Sequence, residues 1–443
     1  MLNEREYKAL KSIFSTLNPV DTAAVLPQFP EREMVMLFRL IPKESAAEVF
    51  SYLEPEYEEM LINASNDEEL TQLMSGMFAD DTADLIEEMP ANVVSRILKS
   101  VSPQRRNEIN NLLHYPEDSA GSLMTTEYVR LTISQTVAEA LETIKLTGIN
   151  KETIYTCYVL DRHRILGTVS AMDLLTSDDD APMGDIMETN FITVTTDTDK
   201  EEVASLFNKY DIISLPVVDH EDCIVGIVTF DDAIDVIEEE AEEDFAIMAA
   251  TTPSEKPYLK TSALTFFKNR IPWLLFLMIM ATFTGIIISK FESALASVIA
   301  LTAFIPMIMD TGGNSGSQAS VAVIRALSLG EVEFSDFFRV IRKELGASVL
   351  CGVALGAAAI AKVMIFDYLI LSTEGVTLTV ALIVGIAVTL TVIFSKVLGA
   401  CLPMLAEKIG LDPAALASPV ITTIIDCLSL FIYFVLASAA LGL

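Results

Sequence analysis

Two aspartates stand where an apolar chain has no ordinary use for charge. Asp426 lies in "SPVITTIIDCLSLFIYF" and Asp310 in "PMIMDTGGNSGSQASVAVIR", each inside a long apolar tract. A carboxylate near the middle of a bilayer costs several kcal/mol unless it faces water, a cation or a partner. Asp426 is 13 residues past Pro413, or about 20 Å of helix, well inside a hydrocarbon core about 30 Å thick. No Lys, Arg or His follows Asp412 to neutralise it. Thr422 and Thr423 precede it by four and three residues and share its helical face. Around Asp310, Asn314 and Gln318 are spaced to put both amides on one face, and Gly312, Gly313 and Gly316 permit close helix approach or a bend that turns carbonyls inward. The donor set is all oxygen, with no histidine in any apolar tract. It suits a hard, hydrated cation such as Mg2+ better than zinc or copper. Two other readings stand beside this one: a protonated Asp426 hydrogen-bonded between helices, and glycines that serve only packing.

A second group of acids lies outside the apolar tracts. From Asp231 to Asp244 the chain reads "DDAIDVIEEEAEED", nine acids in fourteen residues without a base. Asp231, Asp232, Asp235, Glu238, Glu239, Glu242 and Glu243 crowd one segment, where like charges repel and a divalent cation would relieve the repulsion. Asp80, Asp81, Asp84, Glu87 and Glu88 form another acidic face. A solvated surface and an ion-linked sensor both fit such faces. The net charge of −33 argues for small cations and against nucleic acid or anionic lipid. The three histidines, 114, 163 and 220, all precede the apolar half, and no nucleophile–histidine pair, HExxH or Walker A motif supports an enzyme or an ATP-driven pump. Cys157, Cys223, Cys351, Cys401 and Cys427 are scattered without a CxxC pair, which fits a reducing compartment rather than a disulfide framework.

Positioning these residues requires three kinds of element. Apolar tracts near 271–289, 293–324, 345–366, 376–395 and 413–441 meet the length of a membrane helix. Lys256, Lys260, Lys268, Arg270, Arg325, Arg339, Arg342, Lys343, Lys396 and Lys408 flank one side of them, against Lys290 and Lys362 on the other. That asymmetry predicts a cytoplasmic N-terminus and an external C-terminus. The first twenty residues are mixed in charge, so insertion is expected from these internal spans rather than from a signal peptide. Residues 124–240 contain an internal repeat that pairs Met124 with Met187, Asp161 with Asp219, Gly167 with Gly226, Ser170 with Thr229, and Asp173 with Asp232. Each half reads as an extended segment, a helix, two short strands and a helix. Upstream, prolines at 30, 42 and 55, then 90, 103 and 116, predict a stack of short helices, each ending before a proline.

The run "GNSGSQAS…IRAL" together with "ASPVITTIIDCLSLFIYF" resembles the MgtE family of magnesium transporters, and the likeness spans essentially the whole chain. It implies a multidomain protein: an α-helical, superhelical N-domain at 1–122, an α/β tandem CBS pair at 123–185 and 186–240, an acidic connecting helix at 241–268, and an all-α membrane domain of five helices at 269–443. It implies a Mg2+ channel or transporter, not an enzyme, that works as a homodimer in the cell membrane with the pore between two membrane domains. In that pore Asp426 would hold the hydrated ion, and Asp412 in "IGLDPAA" would lie at the cytoplasmic mouth against the helix that follows the CBS pair. The same resemblance implies a possible adenine nucleotide such as ATP at Ser170 with Asp173 and Thr229 with Asp232; these residues also fit as helix caps. A membrane-anchored receptor that senses nucleotide or ions, and a Co2+ or Mn2+ transporter, are the competing functions.

Overall fold

The computed structural model describes residues 7–254, 258–292, 298–416 and 418–442. It divides into two compact units, Met1–Ile237 and Glu238–Leu443.

The first unit opens with nine short helices: α1 (Tyr7–Phe14), α2 (Pro19–Val25), α3 (Glu31–Phe38), α4 (Lys43–Ser51), α5 (Pro55–Ala64), α6 (Asp67–Met74), α7 (Ala79–Glu88), α8 (Ala91–Ser100) and α9 (Pro103–Leu112). The prolines do more than end helices. Pro30, Pro42 and Pro90 occupy the N-cap of the next helix, and Pro55 and Pro103 its first turn. There a missing N–H costs nothing and φ is preset. Where the proline spacing lapses, Asn66 starts α6 instead, in a reciprocal capping box with Glu69. Leu26, Met34, Leu37, Phe50, Leu61 and Ile62 are fully or almost fully buried in the stack.

After the short α10 (Ala120–Leu123), the repeat folds twice. The first half contains β1 (Val129–Thr132), α11 (Val137–Thr147), β2 (Thr156–Asp161), β3 (Arg164–Ser170) and α12 (Ala171–Thr176). The second contains α13 (Met183–Ile186), β4 (Val194–Thr195), α14 (Lys200–Tyr210), β5 (Ser214–Val218), β6 (Ile224–Thr229) and α15 (Phe230–Met248). Each sheet has a parallel pair followed by an antiparallel one. The halves interlock through the paired positions of the repeat. Thr125 exchanges backbone bonds with Ile227, and Thr168 with Glu188. A Cβ on Gly226 would fall 2.7 Å from Met124 Sδ, and one on Gly167 would fall 3.0 Å from Met187 Sδ. Glycine recurs at these sites because the other half's methionine occupies the space.

The acidic helix α15 begins as the last helix of this repeat and stops at Met248, and the next helix, α16 (Ala263–Lys290), begins fifteen residues on. The separate connecting helix expected over 241–268 corresponds instead to the end of α15 and the start of α16; the described residues between them, 249–254 and 258–262, are non-helical, and 255–257 lie outside the described region. The second unit continues with α17 (Ile305–Ser328), α18 (Phe337–Lys362, prolonged as a π-helical stretch to Ile370), α19 (Leu378–Lys408) and α20 (Ser418–Leu441). Among the described residues, four helical segments are long and apolar enough to cross a bilayer: Ala263–Lys290, Phe334–Ile370, Leu378–Lys408 and Pro419–Leu441. The tract expected at 293–324 yields α17, preceded by a 3-10 turn at Ile299–Phe304, with residues 293–297 outside the described region. Its polar residues keep it below the hydropathy of the others. The fourth tract runs on past 395, so Lys396, expected in a loop, lies inside α19 and is 9% exposed.

A candidate cation path and an acidic face

In the second unit α17 packs against α19 and α20. Its buried face carries Gly312, Gly313, Gly316, Ala319 and Ser320, while Asp310, Asn314 and Gln318 are exposed. The three lie four residues apart and so form one polar stripe. Asp426 is half-buried on α20, with Oδ1 3.9 Å from where a Gly313 Cβ would stand. Asp310 is the acid that acts on it electrostatically. Thr422 shares this edge, its side chain lying 3.3 Å from the same Gly313 position. The hydroxyls of Thr422 and Thr423 both donate to Pro419 O at 2.9 Å, leaving their oxygens able to accept. The arrangement is a polar edge of two acids, an amide pair and hydroxyls on an otherwise apolar bundle. Asp310 pairs with no base among the described residues, and neither does Asp426. Cys427 Sγ and the Thr284 hydroxyl of α16 share a hydrogen bond at 3.5 Å.

Toward one end of the same unit, the tail of α15 lies on α17. Ile247 and Met248 pack with Ile324 and Ala414. Ser328 donates to Asp244 Oδ2 at 3.4 Å. Burial, and then the charge of Asp412, raises the pKa of Asp244. Asp412 also caps the turn that follows it, accepting from Ala414 N at 2.7 Å. The expected Asp412 site thus has an acidic neighbour, and it is Asp244. Glu238, Glu239, Glu242 and Glu243 are exposed along α15.

The first unit gathers acids from four separate segments. Asp80 and Asp81 of α7, Glu127 before β1, Glu152 before β2, and Asp231 and Asp232 of α15 act on one another electrostatically. Glu58 and Asp84 join through Asp81 and Glu88. Burial, reinforced by the neighbouring carboxylates, pushes Glu58 and Glu152 up to about 8 and Asp80 well above its usual range; Asp84, more open to solvent than these, is lifted in the same direction, to about 7. Burial also lifts Asp232 to about 6, against the hydrogen bond from Thr229. Glu127 is the exception. It is buried too, but the Arg105 guanidinium bonds to it and holds it below the ordinary value. Thr125 donates to Asp80 at 3.2 Å and to Glu127 at 3.0 Å. Among the described residues no three such groups converge into a preformed metal shell. Asp235 is on the exposed side of α15, where its charge acts on Tyr52.

The suggested nucleotide contacts are occupied locally. Ser170 Oγ donates to Asp173 Oδ2 at 2.6 Å and caps α12 through Asp173 N. Thr229 Oγ1 donates to Asp232 Oδ2, also at 2.6 Å. Both pairs are helix-start bonds in this structure. Sequence reading passed over Glu58, Glu127 and Glu152, since one glutamate among the exposed acids of a short helix, or one in a loop, carries no pattern that marks it as buried.

Residues 305–436 match the MgtE family of divalent cation transporters, 17–118 match the MgtE intracellular N domain, and 120–179 and 183–239 each match the CBS domain. The chain is 34% identical over 441 residues to the magnesium transporter MgtE of Thermus thermophilus, covering 98% of this chain and 96% of that protein. It belongs to the MgtE family. Its identity to the magnesium transporter MgtE of Bacillus subtilis is 32%, over 99% of this chain and 95% of the relative. Among solved structures, the cytosolic domain of the Mg2+ channel MgtE in complex with ATP matches with 36% identity and a TM-score of 0.51, covering 53% of this chain and 96% of that one. A second, the soluble part of a magnesium transporter, matches at 30% with the same TM-score, covering 54% and 95%. As an MgtE member with long apolar helices, the protein is a multi-pass membrane protein, and its helical N-domain, CBS pair and helical membrane region agree with the sequence reading.

Proposed function

We propose that this MgtE member conducts Mg2+ passively across the cell membrane and is closed by Mg2+ on the cytoplasmic side. The observation that carries the reading is the exposed Asp310–Asn314–Gln318 stripe beside Asp426. A lone protomer would turn these groups to lipid. A two-fold partner that presents the same stripe would enclose them around water, so a homodimer supports the path, with α17 as a membrane span. Oxygen ligands and an intact hydration shell suit Mg2+, which dehydrates reluctantly. The membrane potential supplies about 2.3 kcal/mol per elementary charge per 100 mV, so no fuel is needed. The excess of Lys and Arg on one side supports a cytoplasmic N-terminus and an external C-terminus.

Closure draws on the crowded acids. Asp80, Asp84, Asp231 and Asp232, joined by Glu58 and Glu152, sit closer together than their charges favour, and bound cations remove that cost. Asp412 and Asp244 repeat the arrangement at the end of α15. A state that brings these acids together gains stability in proportion to how much better it binds Mg2+. ATP is the proposed second ligand, on the strength of the similar cytosolic domain solved with it. It would reach Ser170–Asp173 or Thr229–Asp232 through outward lone pairs, since their protons are engaged. The test is Mg2+ uptake into liposomes. The wild type should load them, and Asp426→Asn, correctly folded, should not. Wild-type uptake by the folded variant would remove Asp426 from the path.

A further inference from the structure

The helical stack carries a basic spot that neither group of acids uses. Its other half-buried arginines have acceptors. Arg96 donates to Ile62 O at 2.6 Å and to Ser65 O, while Arg105 donates to Met77 O at 2.7 Å and pairs with Glu127. Arg106 of α9 is half-buried too, yet its side chain has no hydrogen bond or ion pair among the described residues. Its Nε is closed off without a partner, whereas its two Nη nitrogens stay open to solvent. Lys99, in the last turn of α8, is exposed and likewise unpaired among the described residues. Both line one groove of about 650 Å3. Its apolar wall is formed by Ile86 of α7, Met89 just beyond that helix, and Val94 and Leu98 of α8.

A charge held partly out of water without a counter-ion is unfavourable. In a chain of 62 acids and 29 bases, two bases left beside one groove without an acid call for a ligand. We propose that the groove binds a small amphiphilic anion. Its apolar body lies against Ile86, Met89, Val94 and Leu98, and its carboxylate or phosphate accepts from the Arg106 Nη groups and from Lys99 Nζ. A guanidinium presents paired N–H donors that match two oxygens of such a group. The groove has the volume of a small-molecule site. A bare inorganic anion would leave the apolar wall uncovered, and a strongly acidic polypeptide would be repelled by the net charge of −33. A second groove of about 600 Å3, beside Tyr57 and Met60, carries Glu31, Glu56 and Glu59 instead and would repel the same ligand. The basic groove uses none of the acids assigned to the Mg2+ response.

Equilibrium dialysis of the full chain in lipid nanodiscs, with binding to empty nanodiscs subtracted, tests this with 1-naphthoate and 1-naphthyl phosphate. At least one of them should bind saturably, and the tighter one names the head group as carboxylate or phosphate. Neutral 1-naphthol and inorganic phosphate should each bind about tenfold more weakly or less, since each lacks half of the recognition. Arg106→Gln should weaken the anion about tenfold through loss of a charge-assisted contact. Lys99→Gln should weaken it about threefold, because the lysine is more exposed. That second variant alters only an exposed position and reads the site even where Arg106→Gln disturbs the stack. Wild-type affinity in both variants, or naphthol or inorganic phosphate bound as well as the naphthyl anions, overturns the site. So does the absence of saturable binding by either anion; an acidic amphipathic peptide that then binds only with Arg106 intact would make the occupant a polypeptide.

Discussion

Acids are scarce in one unit's apolar bundle and crowded together in the other unit, and the proposed function gives the two arrangements different work. Asp426 and Asp310 stand beside glycines and neutral oxygens in an apolar bundle, so on the proposed path each is expected to count individually. On the first unit, Glu58, Asp80, Asp81, Asp84, Glu152, Asp231 and Asp232 share one electrostatic field, so no single member dominates. A path needs a few fixed groups; a sensor gains steepness from many weak ones. The largest contrast should appear in flux: Asp426→Asn reduces Mg2+ uptake to background, whereas Asp80→Asn leaves a conducting protein whose response to cytoplasmic Mg2+ is weaker. Equal losses from the two substitutions would erase the distinction.

The same contrast extends to packing. Gly399→Ala would drive a Cβ to 2.3 Å from the Gly316 carbonyl oxygen, and overpacking of this kind costs roughly 1–3 kcal/mol or more. Thermal unfolding should show a marked loss. Gly346→Ala, with nothing within 4 Å of its Cβ, should hold or gain up to about 1 kcal/mol, since alanine is the better helix former.

Next in size is pH. Glu58 and Glu152 titrate near 8, Asp84 near 7 and Asp232 near 6 in the folded protein, against about 4 when unfolded. Between these values the folded state holds the extra protons. Without Mg2+, stability is therefore greatest toward pH 4 on account of these groups and declines as pH rises to about 8. Mg2+ should restore it most at pH 8, where protons no longer compete, and least at pH 6. Melting curves across pH 6–8 with and without Mg2+ check this, and a Mg2+ effect that ignores pH would mean that these carboxylates do not bind the ion. The smallest effect tests a residue outside both regions. Asn66→Ala removes the capping box of α6 and should cost about 1 kcal/mol with no change in the Mg2+ dependence of melting.

How much was legible depended on whether the signal was local. Asp426 announced itself because an acid in an apolar tract has no ordinary use, and the repeat because Met124 and Met187, or Gly167 and Gly226, recur at matching places. Glu58, Glu127 and Glu152 were silent, since only the fold brings a helix of the N-domain and two loop segments beside α15. Lys396 misled because a charge that ends an apolar tract reads as a loop, whereas α19 continues for twelve residues beyond it.

The central claim is that acids of the soluble unit govern a cation path in the membrane unit. Channel currents in planar bilayers, with Mg2+ titrated on the side of the soluble unit alone, test it most directly. The account predicts currents that fall steeply as Mg2+ rises there, and a triple Asp80→Asn, Glu152→Gln, Asp232→Asn protein that conducts but requires more Mg2+ to close. Currents indifferent to Mg2+ on that side, or a triple variant that closes at the wild-type concentration, would contradict it.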